Sequence, residues 1–186
     1  MVQVTSLWLP ILVSAAVVFV ASSVIHMLLG YHRADYGLLP GEDDVQAALR
    51  KFNLPTGDFE LPHPQSPKDA SSQAFREKLD KGPVVIMTVM ANGGPSMART
   101  LALWFLYCVV VGLVVAYLAG LALPAGAAYR PVFRFVSTAA FAGYALGLWQ
   151  MSIWYNRSWA TTIRTSVDGL VYALLTAGTF GWLWPR

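Results

Sequence analysis

LWLPILVSAAVVFVASSVIHMLL, residues 7–29, is the stretch that decides the fold. It contains no Asp, Glu, Lys or Arg, and His26 is its one ionisable side chain. About 20 residues at about 1.5 Å rise each cross a hydrocarbon core of about 30 Å, and this run has that length. Three further stretches read the same way, at residues 101–123, 135–154 and 165–184. Asp168 is the single formally charged side chain among all four. The expectation is an all-α membrane protein with four transmembrane helices, because lipid offers no partner for an unpaired backbone N–H or C=O. The runs are continuous and do not alternate, unlike the strands of a membrane barrel. No Lys or Arg precedes the first run, and it exceeds the usual signal-peptide core, so it reads as a retained span.

Composition agrees, with 56% hydrophobic residues and seven tryptophans. The chain is expected to form a single membrane domain over residues 1–186, with the lipid bilayer as its surroundings. One extramembrane loop of roughly 70 residues, about 30–100, joins the first and second spans. It holds nine of the ten acidic and eight of the thirteen basic residues. This mixed charge offers no clustered basic surface for nucleic acid. Cys108 is the lone cysteine and lies mid-span, so it reads as a buried apolar thiol and no intrachain disulfide is expected.

Within the loop, residues 42–52 predict a short helix. Glu42, Asp43 and Asp44 lead it and Arg50 and Lys51 close it, in the order that suits the helix dipole. Val45, Leu49 and Phe52 fall on one face and are expected to be buried. Four prolines make residues 55–67 extended or turning. A second short helix is expected over 71–81, and residues 84–90 read as a strand or an interfacial segment.

Short links between the last three spans imply antiparallel neighbours, with both termini on one side. Arg130, Arg134 and Arg186 lie on the terminal side; Arg33, Arg99, Arg157 and Arg164 lie near span ends on the other. The positive-inside bias then puts the long loop in the cytoplasm and both termini in the periplasm. Trp8, Trp182 and Trp184 at one level, and Trp104, Trp154 and Trp159 at the other, mark two interfacial belts.

Small residues recur at four-residue spacing: Gly112, Ala116 and Gly120 in the second span, Ala139, Gly143 and Gly147 in the third, Gly169, Ala173, Ala177 and Gly181 in the fourth. Such faces let helix backbones approach closely. Intramembrane polar groups are costly and mark the places to look for function. His26, Gln150 and Asp168 share one depth near the long-loop side, with Tyr31, His32, Asp35 and Tyr36 just beyond. A helical Arg164–Asp168 pair at i, i+4 supplies a structural explanation, with His26 and Gln150 hydrogen-bonding across helices. The chemical explanation is a proton relay, a ligand site or a metal site. His26, His32 and Asp35 are weak metal candidates by ligand type alone, since their spacing matches no metal motif. No cofactor is expected: bis-His haem ligation needs two intramembrane histidines, and His26 is the only one. Asn92-Gly93-Gly94-Pro95-Ser96 lacks the Gly-Lys-Ser/Thr ending of a phosphate loop.

The tail from Asp168-Gly169-Leu170-Val171-Tyr172 to Phe180-Gly181-Trp182, with Ser152-Ile153-Trp154-Tyr155 before it, resembles small bacterial inner-membrane proteins of four spans. The resemblance implies a location and brings no activity. With no catalytic motif, the residues favour a non-catalytic accessory or scaffold subunit of a larger membrane assembly, partnered by other membrane subunits or by copies of itself. The alternatives are a small oligomeric channel or transporter, which needs a polar stripe through the membrane, and a membrane enzyme or redox subunit using His26, Gln150 and Asp168.

Overall fold

The computed structural model describes residues 1–186. Along the chain run α1 (Trp8–Leu28), α2 (Glu42–Arg50), β1 (Gly57–Leu61), α3 (Pro67–Ala70), α4 (Gln73–Lys81), β2 (Val85–Val89), α5 (Met97–Ala122), α6 (Tyr129–Tyr144), α7 (Trp149–Tyr155) and α8 (Trp159–Trp182). Where the sequence suggests one domain, the chain divides into two compact units: residues 1–37 with 97–186, and residues 38–96.

The first unit is a helix bundle. Three helical stretches are long and apolar enough to cross a membrane, Val4–Leu28, Met97–Ala122 and Tyr129–Tyr155, as befits a membrane-embedded protein. That is one fewer than the sequence predicts. The fourth stretch lies within α8, which has the length, at 24 residues, but not the apolarity. Its polar residues turn inward: Thr161, Thr162, Asp168, Thr176 and Thr179 are buried, while Ile163, Val167, Leu170, Val171 and Leu174 are exposed. The roughly 70-residue loop also needs correction. Residues 31–37 belong to the helical unit, and α5 begins at Met97, so the separate unit runs from Leu38 to Ser96.

Small residues set the packing. A Cβ at Gly112 would sit 3.3 Å from the Ile11 side chain, and one at Gly143 would sit 3.3 Å from Val111. At Gly181 it would lie 2.7 Å from the Tyr129 ring, and at Gly120 2.4 Å from the Val2 carbonyl. That carbonyl belongs to a residue whose own N–H donates to the Gly120 carbonyl at 2.8 Å. Ala116, Ala173 and Ala177 are fully buried, Ala139 is partly so, and Gly147 has open space beside it. Four aromatic rings close a ring of edge and stacking contacts in the interior: Trp104 and Tyr107 of α5, Tyr144 of α6 and Tyr172 of α8, with successive centroids 5.6–6.0 Å apart.

The third predicted span, 135–154, is not one helix. Ala145 leaves helical geometry at φ −124°, a 3-10 turn over Leu146–Leu148 follows, and α7 resumes at Trp149. In an unbroken helix the Gly143 carbonyl would accept from the N–H of Gly147. Here Tyr107 Oη donates to that carbonyl at 2.6 Å instead. Gly169 makes room for the displaced backbone, since a Cβ there would lie 2.8 Å from Ala145 Cβ. Ser152 and Thr162 hydroxyls, 2.6 Å apart, and Trp149 Nε1 on Ser166 Oγ at 3.1 Å tie α7 to α8. Two tryptophans act as internal pins: Trp104 Nε1 donates to Ser22 Oγ at 2.7 Å, and Trp184 Nε1 to the Pro124 carbonyl at 2.9 Å.

The second unit contains an antiparallel β1–β2 pair, with Phe59 opposite Met87 and Gly57 opposite Val89. The predicted helices appear at α2 and α4, the latter capped by Ser72, whose Oγ accepts from the Phe75 N–H. Phe75 is buried, whereas Val45, Leu49 and Phe52 are exposed, against the expectation from their shared face.

Overpacking a tight helix contact costs about 1–3 kcal/mol, so Gly169→Ala is expected to lower the melting temperature of the detergent-solubilised protein. Gly147→Ala, with nothing to strike, is expected to be neutral or to gain about 0.4–1 kcal/mol by stiffening the unfolded chain. Equal melting of the two variants would remove Gly169 from the account of the break at Ala145.

Candidate functional site

Gly30 ends α1 in the left-handed region at φ +64°, where glycine pays no Cβ penalty. The chain therefore reverses at once into a 3-10 turn, Tyr31–Asp35, that packs on α8. This turn delivers Tyr31, His32 and Asp35 to the inward polar face of α8, where Asp168 is only 3% exposed.

The contacts form one continuous network. Tyr31 Oη donates to Asp168 Oδ1. His32 Nε2 lies 2.7 Å from Asp168 Oδ2, and its Nδ1 lies 2.7 Å from Asp35 Oδ2. Arg164 Nη2 and Nε reach Asp35 Oδ1 at 2.7 and 2.9 Å. Both nitrogens of His32 thus face carboxyl oxygens, and with both carboxyls ionised the two contacts call for a proton on each nitrogen, since a neutral imidazole has one donor. In that state two cations balance two carboxylates. His26, in the last turn of α1, stacks on His32 with centroids 4.5 Å apart and planes 8° from parallel. Its Nδ1 is 3.0 Å from the Ser22 carbonyl, so Nδ1 carries the proton and Nε2 is left as an acceptor.

The electrostatics follow from these neighbours. Burial raises the Tyr31 hydroxyl to about 12, helped by its hydrogen bond to Asp168 and by the charges of Asp168 and Asp35. Burial alone would also raise Asp35, but hydrogen bonds and charge from His32 and Arg164 outweigh it and hold its carboxyl below the usual range.

The structure joins some of the residues predicted from sequence and separates others. Asp168 and His26 fall in one cluster, bridged by His32. Gln150 is exposed on α7 and takes no part. Arg164 does not pair with Asp168 one turn away; it pairs with Asp35, and Asp168 is taken by Tyr31 and His32. Among metal-ligating groups, Asp168 replaces Asp35: one ligand atom each from His26, His32 and Asp168 lie within 4.8 Å of one another, while Asp35 stands behind His32. Tyr31 as a direct Asp168 partner is not foreseen from sequence. Its only signal is its place in Tyr31-His32-x-x-Asp35, immediately after a helix-ending glycine. Comparison with family models, curated proteins and solved structures finds no match to this chain.

Hydrogen bonds to charged groups contribute about 1.5–3 kcal/mol, so Asp35→Asn or Arg164→Gln is expected to lower stability by that order in detergent melts. The Asp35→Asn/Arg164→Gln double variant should recover part of the loss, with a larger coupling than Asp168→Asn/Arg164→Gln. Asp35 adds a pH dependence of known sign. A carboxyl held low in the fold stabilises above its unfolded value of about 3.9 and loses that contribution as pH falls through the lower folded value. The acid limb of the melting profile should flatten in Asp35→Asn. Tyr31 acts at the other end: its raised value stabilises below about pH 10 and is lost as pH climbs toward 12. Tyr31→Phe should lower the plateau below about pH 10, where its hydrogen bond to Asp168 contributes, and flatten the alkaline limb.

Proposed function

We propose that this chain is a non-catalytic accessory or scaffold subunit of a larger membrane assembly, seated in a bacterial inner membrane by four spans. The observation that carries this reading is where the polar side chains spend themselves. Asp35, His32, Asp168, Tyr31 and Arg164 all bond to one another and pin the turn after α1 onto α8. Such a network holds two helices in a set relation, which is what a subunit offering a surface to partners requires. A half-satisfied network would leave reactive groups directed at a substrate; a satisfied one rigidifies.

α8 is the fourth span in this reading. Mean hydropathy counts inward and outward residues alike, whereas lipid meets only the outward ones. Ile163, Val167, Leu170, Val171 and Leu174 give α8 an apolar exterior, and Thr165, Thr176 and Thr179 donate their hydroxyls to carbonyls of the same helix. Four spans put both termini in the periplasm and the loop of about 30–100 in the cytoplasm, by the arginine bias described above.

Single cysteines placed at Val2, Ser72 and Arg186 in a Cys108→Ala background test the topology with a membrane-impermeant thiol reagent. Val2 and Arg186 are expected to label from the periplasmic side and Ser72 from the cytoplasmic side. Labelling of Val2 and Arg186 from opposite sides would leave three spans and remove α8 from the membrane. Native mass spectrometry after mild detergent extraction tests the role. A hetero-complex of fixed stoichiometry is expected; a homo-oligomer that conducts ions in liposomes would overturn the scaffold reading in favour of a channel.

A further inference from the structure

The geometry points to a divalent transition-metal site formed by His26, His32 and Asp168, with zinc-type ligand chemistry. Two imidazoles and a carboxylate are a ligand set that Zn²⁺ accepts, and three protein ligands leave a further position for water. The three donor atoms already lie within 4.8 Å of one another, although they come from the last turn of α1, the 3-10 turn and α8.

The surroundings of the two histidines carry the inference further than proximity does. Metal-bound histidines nearly always donate their other ring N–H to a carboxylate or a backbone carbonyl, which fixes the tautomer and raises ligand basicity. Both histidines have such a partner here. His26 Nδ1 faces the Ser22 carbonyl at 3.0 Å, which leaves Nε2 as the lone-pair nitrogen. His32 Nδ1 faces Asp35 at 2.7 Å, and Asp35 is itself held by Arg164. The remaining His32 nitrogen, Nε2, points at Asp168 Oδ2. Tyr31 holds the other oxygen, Oδ1, so Oδ2 is the one left for a cation. Asp35 thus supports a ligand without being one.

The cation takes the place of the proton between His32 Nε2 and Asp168 Oδ2, and that proton leaves to solvent. Binding therefore releases a proton. Tetrahedral ligand bonds of about 2.0–2.2 Å set donor atoms about 3.3–3.6 Å apart, so the His32–Asp168 pair opens and the widest pair closes by more than about 1 Å, and the stacked rings turn to aim their lone pairs at one point. His26 is exposed, so its ring is free to swing off the stack.

The test uses the full chain, purified through a tag without histidine, in detergent micelles treated with chelator and then titrated with Co²⁺ as a spectroscopic stand-in. One equivalent should give visible d–d bands that Zn²⁺ abolishes. His26→Ala removes a ligand that makes no hydrogen bond to the clasp, and should weaken binding at least about tenfold; Asp35→Asn should weaken it about 10–100-fold, the effect of losing a supporting partner. His63→Ala, on the exposed pair with Glu60, should bind as wild type. No d–d bands in the wild-type protein, or wild-type affinity in His26→Ala, overturns the site. Melting in chelator reports on the metal-free clasp separately, so the two readings fail independently.

Discussion

A carboxylate taken out of water must be given donors, and Asp168 is that carboxylate. Left alone in an apolar interior its charge would cost tens of kcal/mol in the Born limit, so its partners are obligatory. α8 cannot supply them, because its nearest base, Arg164, is engaged elsewhere. They arrive from the turn after α1 as Tyr31 and His32. His32 then needs a partner for its second nitrogen, which is Asp35, and Asp35 needs a cation, which is Arg164 one turn before Asp168. The chain of needs begins and ends on α8 and passes through the 3-10 turn. Gly30 permits the reversal that makes it geometrically available.

Much of the bundle was legible because its signal is local. Residues 7–29 and 101–123 are almost uniformly apolar, and α1 and α5 follow. The third stretch was misread as one helix because its break is caused from outside: Tyr107 on α5 takes the Gly143 carbonyl, and Gly169 on α8 receives the displaced backbone. Nothing within residues 135–154 records either event. β1 was hidden for a different reason. Gly57–Leu61 carries Asp58 and Glu60 among prolines, and only pairing with the more evident β2 gives it a strand's hydrogen bonds.

The site was half legible. Depth along a helix can be counted from sequence, so His26 and Asp168 were placed in one layer. Rotation about the axis cannot be counted without neighbours, and Gln150 at the same depth looks outward from α7. The i, i+4 rule proposed Arg164 for Asp168 because it weighs only residues on one helix. It lost to Tyr31 and His32, whose chain separation from Asp168 is more than a hundred residues and whose spatial separation is a hydrogen bond.

α8 also has a place in time. It is made after α1 to α7, and the groups that answer its inward polar face lie earlier in the chain: Tyr31 and His32 for Asp168, Asp35 for Arg164, Ser152 for Thr162. In a bilayer by itself a segment carrying Asp168 would partition less well than α1 or α5, since Asp is costly on insertion scales, up to about 2.5–3.5 kcal/mol at the centre of a span and less toward its end. Translation therefore delivers the partners of α8 ahead of the helix that needs them.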